Sequence, residues 1–98
     1  MKIVWTPEAI KTFDEILNYL QEEFSQKEVD TFYFETERVI GLIQKNPYLF
    51  KKSTKENIHQ AVLHKYTTLY FEVKTSEKMV ILLSFFETRQ NPNKRKFL

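Results

Sequence analysis

The chain has no cysteine, which excludes a disulfide framework, a thiolate nucleophile and a cysteine-based zinc site. It has a single glycine, Gly41, so it carries no glycine-rich phosphate loop, and no nucleophile elbow is present either. No apolar run is long enough to span a bilayer and no leader precedes Trp5, so a cytoplasmic protein without a membrane partner is expected. Histidine is scarce too. His59 and His64 are five residues apart on a predicted strand, so they are expected on opposite faces, unable to hold one ion together. Asp14, Glu15, Glu22 and Glu23 fall on the wet side of a predicted helix with no histidine near them. No metal and no cofactor are therefore expected.

What is present is the composition of a globular protein. The 98 residues are 42% hydrophobic and 15% aromatic, enough for one domain, residues 1–98, with a small core. The net charge of +2 conceals an asymmetry. Residues 1–50 hold 5 Lys/Arg against 9 Asp/Glu, and residues 51–98 hold 10 against 4. A basic second half suits an anionic partner, either nucleic acid or an acidic protein segment; it equally suits a solvated surface.

Periodicity supplies the elements. Lys2 to Thr6 reads as a short strand. Thr6-Pro7-Glu8 then reads as a helix start, with a capping hydroxyl, a proline at the first helical position and an acid at the positive end of the dipole. Ala9, Ile10, Phe13, Ile16, Leu17, Leu20 and Phe24 follow at spacings of three and four. Ser25-Gln26-Lys27-Glu28 has the pattern of a capping box, and Val29, Phe32, Thr36, Val39, Ile40 and Ile43 continue a second helix to Asn46-Pro47. Tyr33 and Phe34 are expected to widen that stripe, and Gly41 to mark close helix packing. So short a connection makes the helices an antiparallel hairpin.

Pro47 to Glu56 reads as a loop, with Tyr48, Leu49 and Phe50 expected to tuck under the sheet edge and Lys51, Lys52 and Lys55 exposed. Three runs rich in β-branched and aromatic residues then lie between Asn57 and Arg89, with breaks short enough only for an antiparallel meander. In the first, Ile58, Gln60, Val62 and His64 are expected to share one face. Met79 to Phe86 is apolar on both faces and is expected between two other strands. The fold class is α+β, in the order β-α-α-β-β-β, with the helix hairpin on one face of a small antiparallel sheet.

The chemically suggestive residues are basic and aromatic: His64, Lys65, Tyr66, Tyr70 and Arg89. Metal-free RNA cleavage needs a base for the 2′-hydroxyl, cations for the developing phosphorane charge and an acid for the leaving oxygen. Aromatic rings can stack on unpaired bases. A structural reading of the same residues is simpler. In it Tyr70 is a half-buried strand residue, Lys65 and Tyr66 are turn residues, and Arg89 ties down a strand end.

The sequence resembles the RelE/ParE superfamily of toxins from type II toxin–antitoxin modules, also called plasmid stabilisation proteins. Trp5 with Pro7 to Ala9 carries the resemblance at the first junction, and Ile16 to Leu20 (ILNYL) in the first helix. Ile43 to Pro47 (IQKNP), Val62 to Val73 (VLHKYTTLYFEV) and Ile81 to Pro92 (ILLSFFETRQNP) extend it over nearly the whole chain. The likeness is nearer to the ParE-like branch, by the helix lengths and the Thr-Arg-Gln-Asn-Pro ending.

That resemblance implies a growth-inhibiting toxin neutralised by a cognate antitoxin, whose segment wraps it, with oligomers formed only with the antitoxin. ParE-type members act on DNA gyrase, whereas RelE-type members cut mRNA on the ribosome. RelE-type proteins use several Lys and Arg, commonly with a Tyr near the C-terminus. Here Arg89 lies near the arginine that follows the last strand, His64-Lys65 stands where an arginine is usual, and no Tyr follows Arg89. The resemblance therefore implies a protein-binding toxin, with Lys65, Tyr66, Tyr70, Arg89, Lys94 and Arg95 as target- or antitoxin-binding candidates. The alternatives are a metal-independent, ribosome-dependent endoribonuclease using His64, Lys65, Tyr70 and Arg89, and a non-toxic binding module.

Overall fold

Thr6 starts the first helix as its position suggests: its hydroxyl accepts from the Ala9 amide at 3.0 Å. In the computed structural model, residues 1–53 and 57–90 are described; Lys55, Lys94 and Arg95 lie outside them. The elements are β1 (Lys2–Trp5), α1 (Pro7–Glu23), α2 (Gln26–Lys45), β2 (Lys51–Lys52), β3 (Ile58–His64), β4 (Thr67–Lys74) and β5 (Met79–Glu87). Single 3₁₀ turns at Pro47–Leu49 and Thr75–Glu77 fill two of the connections. The architecture is α+β in the expected order, with the two-residue β2 added inside the expected loop.

The sheet is mixed rather than wholly antiparallel. Its strand order is β1-β5-β4-β3-β2, and β1 runs parallel to β5, with Lys2 opposite Met79 and Trp5 opposite Leu82. Short turns force the meander strands to alternate direction, but β1 and β5 are separated by the rest of the chain, so no turn constrains their relative direction. β5 lies between β1 and β4, as its two-sided apolar sequence requires.

Ala9, Ile16 and Leu20 of α1 and Phe32, Val39 and Ile43 of α2 meet Ala61, Leu63, Leu69, Phe71, Val80, Leu82 and Phe85 of the sheet in one core. Trp5 stacks on Phe85 at 5.5 Å between ring centroids, and Phe13 and Phe32 close the aromatic cluster around it.

A bulge in β5 positions the rest. Phe71 pairs with Leu82 and Tyr70 with Ser84, so Leu83 is an extra residue. Side chains alternate faces along a strand, so one inserted residue reverses the assignment beyond it. Val80 and Leu82 therefore face the core before the bulge and Phe85 after it, while Ser84 and Phe86 turn to the opposite face beside Tyr70. β1 ends at this point, and α1 takes its place along the β5 edge. Thr6 Oγ1 donates to the Leu82 carbonyl at 2.7 Å, and the Phe85 amide donates to Thr12 Oγ1 at 2.9 Å.

Several local expectations are corrected. A second irregularity, between Val62 and His64, turns His64 to pair with Thr67 on the helix side, away from the face of Ile58, Gln60 and Val62. His59 is on that helix-facing side too, buried against Phe71 with Nδ1 3.0 Å from the Phe50 carbonyl oxygen, at the other end of β3. The Ser25 side chain makes no capping hydrogen bond, so the capping box is not formed. A methyl group at Gly41 would meet nothing within 4 Å, so this glycine does not mark a close helix approach. Phe34 is 73% exposed, and Tyr33 is exposed as well, because both lie off the α2 stripe. Of the three residues expected under the sheet edge, only Phe50 packs against the core; Tyr48 and Leu49 remain exposed.

Candidate functional site

The structure divides the suggestive residues between two places. The first is the corner where the β3–β4 turn meets the end of β5 and the helix–helix junction. Glu87 ends β5 on the core-facing side, because it pairs with Thr67 in the same phase as Phe85 with Leu69. Its side chain is 0% exposed. A carboxylate so placed requires donors on both oxygens. Arg89 supplies three: Nε and the backbone amide each donate to Oε2 at 3.0 Å, and NH2 donates to Oε1 at 3.0 Å. Thr67 Oγ1 donates to Oε1 at 3.0 Å.

The guanidinium is also clamped by rings. Its central carbon is 4.2 Å from the Tyr66 ring centroid and 4.5 Å from that of Phe24. The Thr88 amide donates to the Tyr66 carbonyl at 2.8 Å, pinning the turn to the strand end. The hydrogen bond to Glu87 holds the Arg89 guanidinium above its ordinary pKa, against the opposing effect of burial, and the charges of Glu87 and Glu28 add to the effect. Arg89 is thus a permanent cation whose charge is already matched. His64 sits beside it with its ring 6.1 Å from Tyr66, and Lys65 is exposed with its ammonium 5.5 Å from the same ring. His64, Lys65, Tyr66 and Arg89 are therefore together, as the sequence pattern suggested.

Tyr70 is elsewhere. It is 2% exposed and lies on the sheet face opposite the core, in the floor of a cleft of about 410 Å³ between that face and α1. Ser84 and Phe86 share the floor. The wall is one flank of α1 and includes Glu8, Lys11, Thr12, Glu15, Tyr19 and Glu22. Gln90 closes one lip by donating from Nε2 to the Glu15 carbonyl at 3.3 Å. The cleft exists because the Leu83 bulge turns Ser84 and Phe86 outward, and because α1 replaces β1 beside them. Lys94 and Arg95 fall outside the described residues.

Sequence reasoning missed Glu87, Phe24 and the α1 flank. Glu87 was legible only as the residue that ends an apolar run; its pairing with Thr67 decides that it is buried. Phe24 read as the last member of the α1 stripe, whereas it lies exposed at the helix junction and reaches Arg89. Among the described residues, no group of three or more His, Asp or Glu is placed to hold a metal ion, and no helix is long and apolar enough to cross a membrane.

No protein-family model matches the sequence, and no curated protein matches it. Among solved structures the chain is similar to one from the chromosomal ParDE TA system of P. aeruginosa, with a TM-score of 0.71. The match covers 89% of this chain and 95% of that one. The two share a fold. At 16% identity the likeness is one of architecture alone, and it agrees with the α+β order expected from the sequence.

Proposed function

We propose that this protein is the toxin of a type II toxin–antitoxin module and acts in a ParE-like way, by binding a protein target such as DNA gyrase, with a cognate antitoxin to neutralise it. The observation that supports this reading most is the agreement in fold with a chain of a ParDE system across 89% of the sequence. The state of Arg89 supports the choice of a protein target over RNA cleavage. Phosphoryl chemistry at a 2′-hydroxyl needs cations free to meet the developing charge. Arg89 is committed to buried Glu87 through two side-chain hydrogen bonds. Lys65 and Tyr66 form the outward part of the corner and are the residues we assign to partner contact, Lys65 as an exposed charge and Tyr66 as a ring held in place by Arg89. An acidic antitoxin segment with an apolar anchor suits that corner.

Inducible expression tests the reading. Growth should stop, and co-expression of a small neighbouring gene with a DNA-binding first half should restore it. Purified protein should inhibit DNA supercoiling by gyrase and leave mRNA intact in a translation extract. Lys65→Ala with Tyr66→Ala should relieve the arrest while the protein stays folded. Unimpaired growth would refute the toxin assignment. Ribosome-dependent cleavage that His64→Ala abolishes would replace the protein target with mRNA.

A further inference from the structure

Glu87 uses only part of Arg89. Nε and Nη2 carry the side-chain bonds to the carboxylate, so the planar guanidinium turns Nη1 away from it. Among the described residues no acceptor meets Nη1, and the Arg89 side chain is 22% exposed. Its charge is already matched, so a second carboxylate gains little there. A neutral acceptor, such as a backbone carbonyl, suits the remaining N–H groups. Phe24 flanks the same guanidinium. Its ring meets Arg89 and Tyr19, yet the residue is still 42% exposed. The guanidinium carbon is 4.2 Å from the Tyr66 centroid and 4.5 Å from the Phe24 centroid, so the two centroids are at most 8.7 Å apart. Lys65 adjoins Tyr66 and forms no ion pair among the described residues. One surface thus offers a free cation, a held ring, a hydrogen-bond donor and a half-exposed ring.

The neighbouring charges select the occupant. Glu22 and Glu23 directly precede Phe24, and the charge of Glu28 acts on Arg89. A phosphate backbone crossing from Lys65 to Phe24 would run into like charge, whereas an uncharged, apolar stretch of protein would not. We infer that the partner surface of this corner extends across Arg89 to Phe24 and takes an extended segment whose Asp or Glu pairs with Lys65, whose backbone carbonyl accepts from Arg89 Nη1 and whose apolar side chain packs on Phe24. The Lys65 ammonium is 5.5 Å from the Tyr66 centroid, which places it no more than 14.2 Å from the Phe24 centroid. Side chains an even number of residues apart share one face of an extended chain, and four residues cover roughly 13 Å. The acid and the apolar residue therefore stand two or four residues apart.

The inference rests on the reading of this corner as a protein-binding surface, but its test uses no growth arrest, so the two can fail separately. The probe is an eight-residue peptide of Ser and Thr with Glu and Leu four residues apart. It is titrated into the purified full chain while the aromatic resonances and the Arg89 Nε–H are followed, and shifts should appear at Phe24, Tyr66 and Arg89. Phe24→Ala should weaken binding by about three- to tenfold, as suits burial of a half-exposed ring. Lys65→Ala should weaken it by no more than about fivefold, the range of an exposed ion pair. Rising salt should weaken binding to the native and Phe24→Ala chains and have little effect on Lys65→Ala. Replacing the peptide's Leu with Ser should lower affinity for the native chain about as much as Phe24→Ala does, and lower it no further in the Phe24→Ala chain. An equal loss in both chains would overturn the proposal. So would the absence of shifts at Phe24 and Arg89 at millimolar peptide, or tighter binding of a single-stranded RNA oligonucleotide to the same residues.

Discussion

Replacing Arg89 with Ala isolates what the corner contributes to stability. The substitution removes two side-chain hydrogen bonds from Glu87, whose side chain is 0% exposed. Breaking a buried ion pair from one side costs about 3–5 kcal/mol, because the remaining charge is left without its partner. Two features reduce that figure. Glu87 keeps the Thr67 hydroxyl and the backbone amide of residue 89 as donors, and the Arg89 side chain is 22% exposed, so water reaches the site once it is gone. The carboxylate part then costs about 2–3 kcal/mol. Loss of the stacked contacts with Phe24 and Tyr66 adds about 0.5–1 kcal/mol each, so Arg89→Ala should destabilise the fold by about 3–5 kcal/mol. With a urea m-value of about 1–3 kcal/mol/M, the unfolding midpoint should fall by at least about 1 M. The decisive comparison is Arg89→Ala combined with Glu87→Gln. A neutral amide needs no counter-charge, so the double variant should be more stable than Arg89→Ala alone, by at least about 1 kcal/mol. If Arg89→Ala shifts the midpoint by less than the error of the fit, or if adding Glu87→Gln makes it worse, Arg89 is not the partner that stabilises the buried Glu87 side chain.

Three further outcomes follow from the geometry. Gly41→Ala should stabilise the protein by about 0.8–1 kcal/mol, since a helix-interior glycine costs that much relative to alanine and the added methyl meets nothing; a lower melting temperature would show that the backbone there needs glycine. Thr12→Val keeps the shape but removes the acceptor for the Phe85 amide, so a loss of about 1–3 kcal/mol in chemical denaturation is expected, with faster amide exchange at Phe85. Thr6→Ala removes both the cap of α1 and the donor to the Leu82 carbonyl, and should cost more than the ~1 kcal/mol of an ordinary cap; thermal melts compare it with Thr6→Ser, which should recover most of the loss.

The sequence by itself determined the number and type of the main elements. Stripes at three and four fix Ala9, Ile16, Leu20, Phe32, Val39 and Ile43 as core residues, because a helix of that periodicity has one apolar face to bury. Short polar breaks make the last three strands antiparallel, since no other direction can be reached in so few residues. Two-sided hydrophobicity places Met79 to Phe86 inside the sheet. Each of these is a local property read over a few residues.

Only the tertiary structure decided where the chemistry lies. The face on which His64, Phe85 and Phe86 appear depends on two bulges, and a bulge is a property of pairing between strands that one strand's pattern does not contain. The parallel placement of β1 likewise comes from its docking on β5, with no short turn to dictate it. Arg89 looked like a cation for a partner. Its real neighbour, Glu87, is two residues away in sequence, and its importance comes from burial against Thr67. Burial turns an ordinary acid into one that needs a fixed counter-charge, and burial is set by elements distant along the chain. Tyr70 was separated from the corner for the same reason, since the bulge at Leu83 and the edge position of α1 built a second surface around it.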